Sequence, residues 1–258
     1  MAVGIVLAGR ANAGRLQPLA PDCAWEALIP LAGRPMAAHV IAALAGVVDI
    51  TQVVVAGPPE LAAFGAECVL PGADLLGTLR HALEAVPTDA DDLLLAAGDA
   101  PLITTAAAQE LLTASRERRL CFGYPIVRRQ ACLAQYPGVR RTYVRLREGR
   151  FTGGNCFYVR REAMPGLLQL AEGVYAARKA PMRLAGLLGM PLLLGLLLGT
   201  ARIRDAEAAA TRLLGCAAGA VEASDPGIGV DVDKPDDLIL CRQVLATDIP
   251  GTAVGKST

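Results

Sequence analysis

The chain has 258 residues, 53% of them hydrophobic and 19% charged, which supplies ample core material and argues against disorder. Lysine plus arginine balances aspartate plus glutamate at 25 each, which argues against a nucleic-acid protein working through a basic surplus. Seven cysteines lie far apart with no C-x-x-C pair, so a cysteine metal site is not expected, and reduced, mostly buried thiols in a cytoplasmic protein are.

In chain order, residues 2–8 (AVGIVLA), 51–56 (TQVVVA) and 92–97 (DLLLAA) are short apolar runs of the kind that form buried strands. The first of them reads as a strand rather than a signal peptide, because a basic start and a long apolar region are missing. Apolar spacing predicts helices over 36–47, 75–86 and 105–115. Strand–helix–strand repetition implies parallel pairing with helices on both faces of the sheet. Residues 120–159 are more β-like, with turn signals at Pro137-Gly138 and Gly153-Gly154, and RTYVRLREG alternates as a half-exposed strand does. The pattern is helical over 161–214. A loop at Asp225-Pro226-Gly227, a short strand over 229–232, a helix over 235–246 and a frayed tail after Pro250 complete the chain. With no linker, repeat or low-complexity block, a single domain over 1–258 is expected.

Residues 184–199, LAGLLGMPLLLGLLLG, carry no charge and are marginal in length for crossing a bilayer. Glycines and Pro191 interrupt the run. Buried core helices broken near Pro191 are expected, with shallow membrane or lipid contact as the alternative.

Ligands of parallel sheets gather beyond the carboxyl ends of the strands, which directs attention to the residues just after Ala8 and Ala97. The first group is Leu7-Ala8-Gly9-Arg10, followed by Arg15. Small residues where a strand opens into a loop let backbone N–H groups approach a phosphate or a base. An arginine a few residues on can hydrogen-bond phosphate in a fork. An ordinary strand-to-helix loop with a solvated arginine is the competing reading. The second group is Gly98-Asp99-Ala100-Pro101. A carboxylate after an apolar strand stands where a divalent metal can bridge it to a phosphate; a turn or N-cap aspartate is the alternative. The third is Asp231-Val232-Asp233-Lys234-Pro235-Asp236-Asp237, in which Asp233 would otherwise cap the last helix.

Taken together, LAGR, Arg15 and AGRPMAAHVI resemble the opening of the nucleotidyltransferase family that includes sugar-phosphate nucleotidyltransferases and MobA-like proteins. Members begin with a strand running into an LAGG or LAAG loop, then an arginine, a proline-lysine pair before a leucine, and a G-x-P that opens a helix. Two departures stand out. Arg10 replaces the second glycine, and Trp25-Glu26 stand where the family has proline-lysine. A glutamate there brings negative charge towards phosphate, so Glu26 must turn away or pair with an arginine, Arg34 being one candidate.

The resemblance implies a three-layer α/β/α domain with a mostly parallel sheet, of the nucleotide-diphospho-sugar transferase (Rossmann-like) type. It implies Mg²⁺-dependent transfer of a nucleoside monophosphate from a nucleoside triphosphate to a phosphorylated small-molecule acceptor, with release of pyrophosphate. In the family the aspartate of G-D-x-P is a magnesium ligand, which falls on Asp99. The ending G-V-D-T-P-E-D-L places a second metal carboxylate, which falls on Asp233 with Asp231 as near competitor. Arg15, Asp99 and Asp233 are thereby the candidate catalytic residues. Leu7, Ala8, Gly9, Arg10, Gly77 and Thr78 would bind the nucleotide, and Gly154 and Asn155 the acceptor. Gly77-Thr78 would equally suit a helix N-terminus, and Gly153-Gly154 a hairpin turn. Nucleic acid and membrane are not expected as partners, and an assembly of identical copies stays open. The alternatives are a glycosyltransferase of the same fold using a nucleotide sugar, and a non-catalytic nucleotide or nucleotide-sugar binder in which Glu26 marks lost chemistry. His39 and His81 read as structural, and neither Cys23 nor Cys156 has an acid–base partner that would make it a nucleophile.

Overall fold

The computed structural model describes residues 1–177, 186 and 189–247. Strand β1 (Ala2–Leu7) lies at the centre, flanked in parallel by β4 (Ile50–Ala56) and β6 (Asp92–Ala97). Strand β5 (Glu67–Val69) extends the parallel edge beyond β4. On the other side β10 (Cys156–Arg160) runs antiparallel between β6 and β7 (Phe122–Arg128), and β11 (Ala218–Glu222) pairs in parallel with β7. The far end of β7 pairs instead with β9 (Gly149–Gly153), which folds back on β8 (Val144–Leu146) as a hairpin. Two-residue strands β2 (Pro30–Leu31) and β3 (Arg34–Pro35) form a separate clip before the first helix.

Alternation within the strands divides the core between the two faces. Val3 and Ile5 of β1, with Leu93 and Leu95 of β6, face α2 (Leu75–Glu84) and α5 (Met164–Ala177). Val6, Leu94 and Ala96 face the other side, under α1 (Met36–Ala45), α3 (Thr105–Glu117) and α8 (Pro235–Thr247). Each fully buried leucine or isoleucine contributes about 1.5–3 kcal/mol. The mostly parallel three-layer arrangement matches the expectation. The expected strands after residues 1, 50 and 91 and the helices after residues 35, 74 and 104 are present.

Several details differ. Strand β11 lies where no strand is expected, and residues 229–232 follow out of a 3-10 turn (Pro226–Gly229) without forming a strand. A short helix α4 (Arg129–Gln135) interrupts the β-like region. Gly153-Gly154 is not a hairpin turn, because β9 and β10 both pair with β7 instead of with each other. Cys121 and Cys216 are joined as a disulfide, contrary to the expectation of reduced thiols throughout. Parallel pairing of β11 with β7 starts at Ala218 opposite Phe122, which brings these two cysteines together across a sequence separation of 95.

The apolar run is also corrected. Its residues 184, 185, 187 and 188 lie outside the described residues, as does the tail after Pro250. The remainder forms α6 (Met190–Leu198), with Pro191 in its first turn, and α7 (Ile203–Leu214) follows. Only Leu192 of α6 is buried; Met190, Leu194, Leu197 and Leu198 are exposed. Local lack of charge fixes apolarity, but burial depends on whether the main cores have room, and they are already filled by other helices. Among the described residues no helix is long and apolar enough to cross a membrane.

Glycine holds the loop before α2 close to the helix. A Cβ on Gly72 would lie 2.3 Å from the Gly77 carbonyl carbon and 2.5 Å from the Thr78 nitrogen, both backbone atoms. Gly72→Ala should therefore cost about 1–3 kcal/mol in denaturant unfolding. Gly173, within α5 and facing open space, gives the opposite sign: Gly173→Ala should stabilise by about 0.5–1 kcal/mol.

Candidate functional site

The ends of β1, β4 and β6 meet at Ala8. Ala8 N–H donates to Ala56 O at 2.8 Å, and Gly98 N–H donates to Leu7 O at 2.9 Å. The Ala8 methyl fills the space beside two glycines: a Cβ on Gly57 would sit 2.8 Å from it and one on Gly98 3.0 Å. The sheet edge is closed tightly here, and the chain leaves it as the open loop Gly9-Arg10. Among the described residues the N–H groups of Gly9 and Arg10 have no protein acceptor. A Cβ on Gly9 would strike the Pro71 ring at 2.3 Å, so only glycine lets the 71–78 segment approach this loop.

Gly77 and Thr78 form the first turn of α2. Asp74 caps it, with Gly77 N–H donating to Asp74 Oδ1 at 2.7 Å. The Thr78 hydroxyl donates to Asp74 O at 2.7 Å and accepts from Gly72 N–H at 3.1 Å. Their polar groups thus build the wall of the site. Gly154 and Asn155 are engaged in a similar way: Gly154 N–H donates to Pro125 O, and Asn155 N–H to Ile228 O, each at 2.8 Å. Asn155 O accepts from Ala97 N–H at 2.9 Å, which sets this turn beside the end of β6.

Asp99 and Asp233 come together from distant parts of the sequence. The junction is one backbone bond, Val232 N–H to Asp99 O at 2.8 Å. Helix α3 is capped by Thr104, whose Oγ1 accepts from Ala107 N–H at 3.2 Å, so Asp99 is left in the preceding turn with no capping duty. Asp233 is likewise relieved. The buried Asp237, in the first turn of α8, reaches back to accept from the N–H groups of Asp233 at 3.2 Å and Lys234 at 3.1 Å, and so ties down the segment entering the helix. Asp231, the near competitor, is committed to Arg141, whose guanidinium contacts both its carboxylate and its carbonyl.

The loop residues carry an unexpected ion network. Glu26 N–H donates to Arg10 O at 3.1 Å and Asn12 N–H to Ala24 O at 2.9 Å, stitching the 10–12 loop to the 24–26 segment. Asn12 is buried and its side-chain amide ties the intervening loop to Ala20 O and Cys23 O. Glu26 is 3% exposed, and its Oε2 lies 3.2 Å from Arg10 Nε. The same guanidinium donates to Asp233 Oδ1 at 3.0 Å. The partner of Glu26 is therefore Arg10 and not Arg34, which is exposed on β3. Arg15 is exposed and has no ion pair with the described residues.

Burial pushes the Asp99 carboxyl up to about 6, with the charges of Asp231 and Asp233 adding to the rise and Arg10 opposing it. Burial also raises Glu26, against the pull of Arg10. Negative charge is thus crowded at this edge and calls for a further cation. No group of three or more His, Cys, Asp or Glu side chains forms a metal cage among the described residues. Asp99, and Asp233 with one oxygen held by Arg10, are carboxylates of the kind that suit Mg²⁺, since that ion ordinarily takes one or two carboxylates and completes its shell with phosphate and water. Cys156 and Cys241, each pushed up to about 12 by burial, have no nucleophilic role here.

Arg10 as the partner of Glu26, Arg141, Asp237 and the Pro71-Gly72 contact were not found from sequence. The only signals were the arginine at an expected glycine and the Pro-Gly turn after β5.

The family model for the MobA-like NTP transferase domain matches residues 4–185. A hypothetical transferase structure from Thermus thermophilus is 38% identical, with a TM-score of 0.82, covering 92% of this chain and 99% of that one. CMP:2-keto-3-deoxy-manno-octonic acid synthetase complexed with CTP shares the fold at 18% identity and TM-score 0.60, over 96% of this chain and 99% of that one. So does 2-C-methyl-D-erythritol 4-phosphate cytidylyltransferase, also from Thermus thermophilus, at 17% identity and TM-score 0.55, over 95% of this chain and 100% of that one. No curated protein matches by sequence. With the family model matching residues 4–185 and a transferase structure 38% identical over 92% of the chain, the chain belongs to the MobA-like NTP transferase family and is a nucleotidyltransferase enzyme.

Proposed function

We propose that the protein transfers a nucleoside monophosphate from a nucleoside triphosphate to a phosphorylated small-molecule acceptor in a Mg²⁺-dependent reaction. The observation that carries this reading is the junction of Asp99 with the 231–233 segment beside the open Gly9-Arg10 loop. Asp99 and Asp233 would hold Mg²⁺, which when bound would neutralise triphosphate charge and help fix the attack geometry. The N–H groups of Gly9 and Arg10 and the side chains of Arg10 and Arg15 receive the triphosphate. An acceptor phosphate oxygen attacks the α-phosphorus in line, the bond from that phosphorus to the bridging oxygen of the β-phosphate breaks, and pyrophosphate leaves with the electron pair. An ionised phosphate needs no general base at neutral pH.

Glu26 is a positioning residue in this scheme. Its buried carboxylate holds the Arg10 guanidinium over the carboxylates, where the family lysine would otherwise supply positive charge. With Mg²⁺ bound at Asp233, Arg10 would keep Glu26 as its partner.

Pyrophosphate release from each of the four triphosphates, with a panel of sugar phosphates and other phosphorylated acceptors, tests the reaction. Turnover of a nucleotide sugar instead, with no pyrophosphate from any triphosphate, would assign the chain to glycosyl transfer. Arg10→Ala and Arg15→Ala should each weaken Mg²⁺-triphosphate binding by about 1.5–3 kcal/mol in calorimetric titration.

The Asp99 carboxyl also sets a pH dependence. Its folded value of about 6 lies above the ordinary 3.8, so the fold favours the protonated form. Stability of the metal-free protein is greatest below the ordinary value and falls by up to about 3 kcal/mol as pH rises to the folded value. Mg²⁺ binds the ionised form and offsets that loss. Added Mg²⁺ should therefore raise the unfolding temperature clearly at pH 7.5 and hardly at pH 5; Asp99→Asn should abolish the difference.

A further inference from the structure

Helix α6 is apolar on every side. Leu192 and Leu196 cover a small cluster with Leu146, Ala201 and Ala209. The opposite face, Met190, Leu194, Leu197 and Leu198, stands in solvent, with Leu197 75% and Leu198 71% exposed. A helix that is apolar all round is ordinarily buried, and contiguous exposed apolar surface marks an interaction site.

The β8–β9 hairpin borders the C-terminal end of this helix. A Cβ on Gly199 would meet Arg145 Cδ at 2.8 Å, and Arg147 N–H donates to Ala201 O at 2.8 Å. Arg145 and Arg150 stand directly opposite each other in the ladder, a like-charge pairing that is unfavourable without an anion between them. Neither they nor Arg147 has an ion-pair partner among the described residues. Two acids stand nearby, Glu148 accepting from Ile203 N–H at 3.2 Å and Asp205 from Arg202 N–H at 2.8 Å, and neither forms an ion pair with these arginines.

We propose that this face docks on an anionic membrane surface, with the exposed leucines entering the headgroup boundary and the hairpin arginines meeting lipid phosphates. At nine residues α6 is too short to span, so the association is peripheral. The charge decides against a second copy as occupant. A two-fold interface sets the same patch against itself, so it offers the arginines no anion beyond those the patch already carries.

Co-sedimentation with vesicles of phosphatidylcholine alone, and of phosphatidylcholine mixed with phosphatidylglycerol, tests this. The full chain should sediment with the anionic vesicles only, and less at high salt. The Arg145→Glu/Arg147→Glu and Leu194→Ser/Leu197→Ser double variants should each lose about tenfold or more in vesicle affinity. Their unfolding temperatures and Mg²⁺-triphosphate binding should stay near wild type, since none of these residues belongs to the nucleotide site. Failure to sediment with either vesicle overturns the proposal, as does vesicle binding indifferent to both double variants. A concentration-dependent dimer broken by the leucine variant, with no vesicle binding, assigns the face to a second copy and overturns it equally.

Discussion

The Arg10 guanidinium is shared between two carboxylates of unequal exposure, and the site is organised around that sharing. Glu26 is almost wholly removed from water, and a buried carboxylate left without a cation costs several kcal/mol. Arg10 answers part of that demand, its Nε lying 3.2 Å from Glu26 Oε2 without a hydrogen bond, while its Nη1 donates to the half-exposed Asp233. Burial disfavours the charged Glu26 and the nearby Arg10 opposes that cost, whereas water can stand in for Arg10 at the exposed Asp233. A cation is thereby kept beside Asp99 and Asp233 at the sheet edge.

The backbone makes this possible by bringing three strand ends into near contact around Ala8. Gly57 and Gly98 leave room for its methyl, and Gly9 leaves room for Pro71. Helix starts are served by other side chains: Thr104 caps α3 and Asp74 caps α2, while Asp237 holds the N–H groups of Asp233 and Lys234 just before α8. The result is two acidic side chains at one edge that cap no helix, Asp233 being held among the described residues only by the Arg10 guanidinium and by its neighbour Asp231.

Much of this was legible in the sequence. Continuous apolar runs marked the parallel strands because such strands are buried on both faces, and a carboxylate just past such a run had to stand at the sheet edge. The pairing of Glu26 was not legible, because Arg10 and Arg34 are both near it in sequence and only the bridge between the 10–12 loop and the 24–26 segment selects one. Strand β11 was missed because AGAVE is short and small, and its pairing depends on β7, far away in the chain. The exposure of α6 was missed for a different reason: hydropathy reports what a residue would gain by burial and does not show whether a partner surface remains to cover it.

On this reading Glu26 and Arg10 act as one unit that supplies the charge the family draws from a lysine. A double-mutant cycle of Mg²⁺-triphosphate affinity tests it most directly, using wild type, Arg10→Gly, Glu26→Lys and the two together. Arg10→Gly removes the cation and strands a buried carboxylate, while Glu26→Lys sets two cations against each other. Each single variant should bind more weakly by about tenfold or more, and the double variant, which restores the family's glycine and lysine, should recover most of that loss. Losses that simply add in the double variant, or single variants that bind like wild type, would contradict the account.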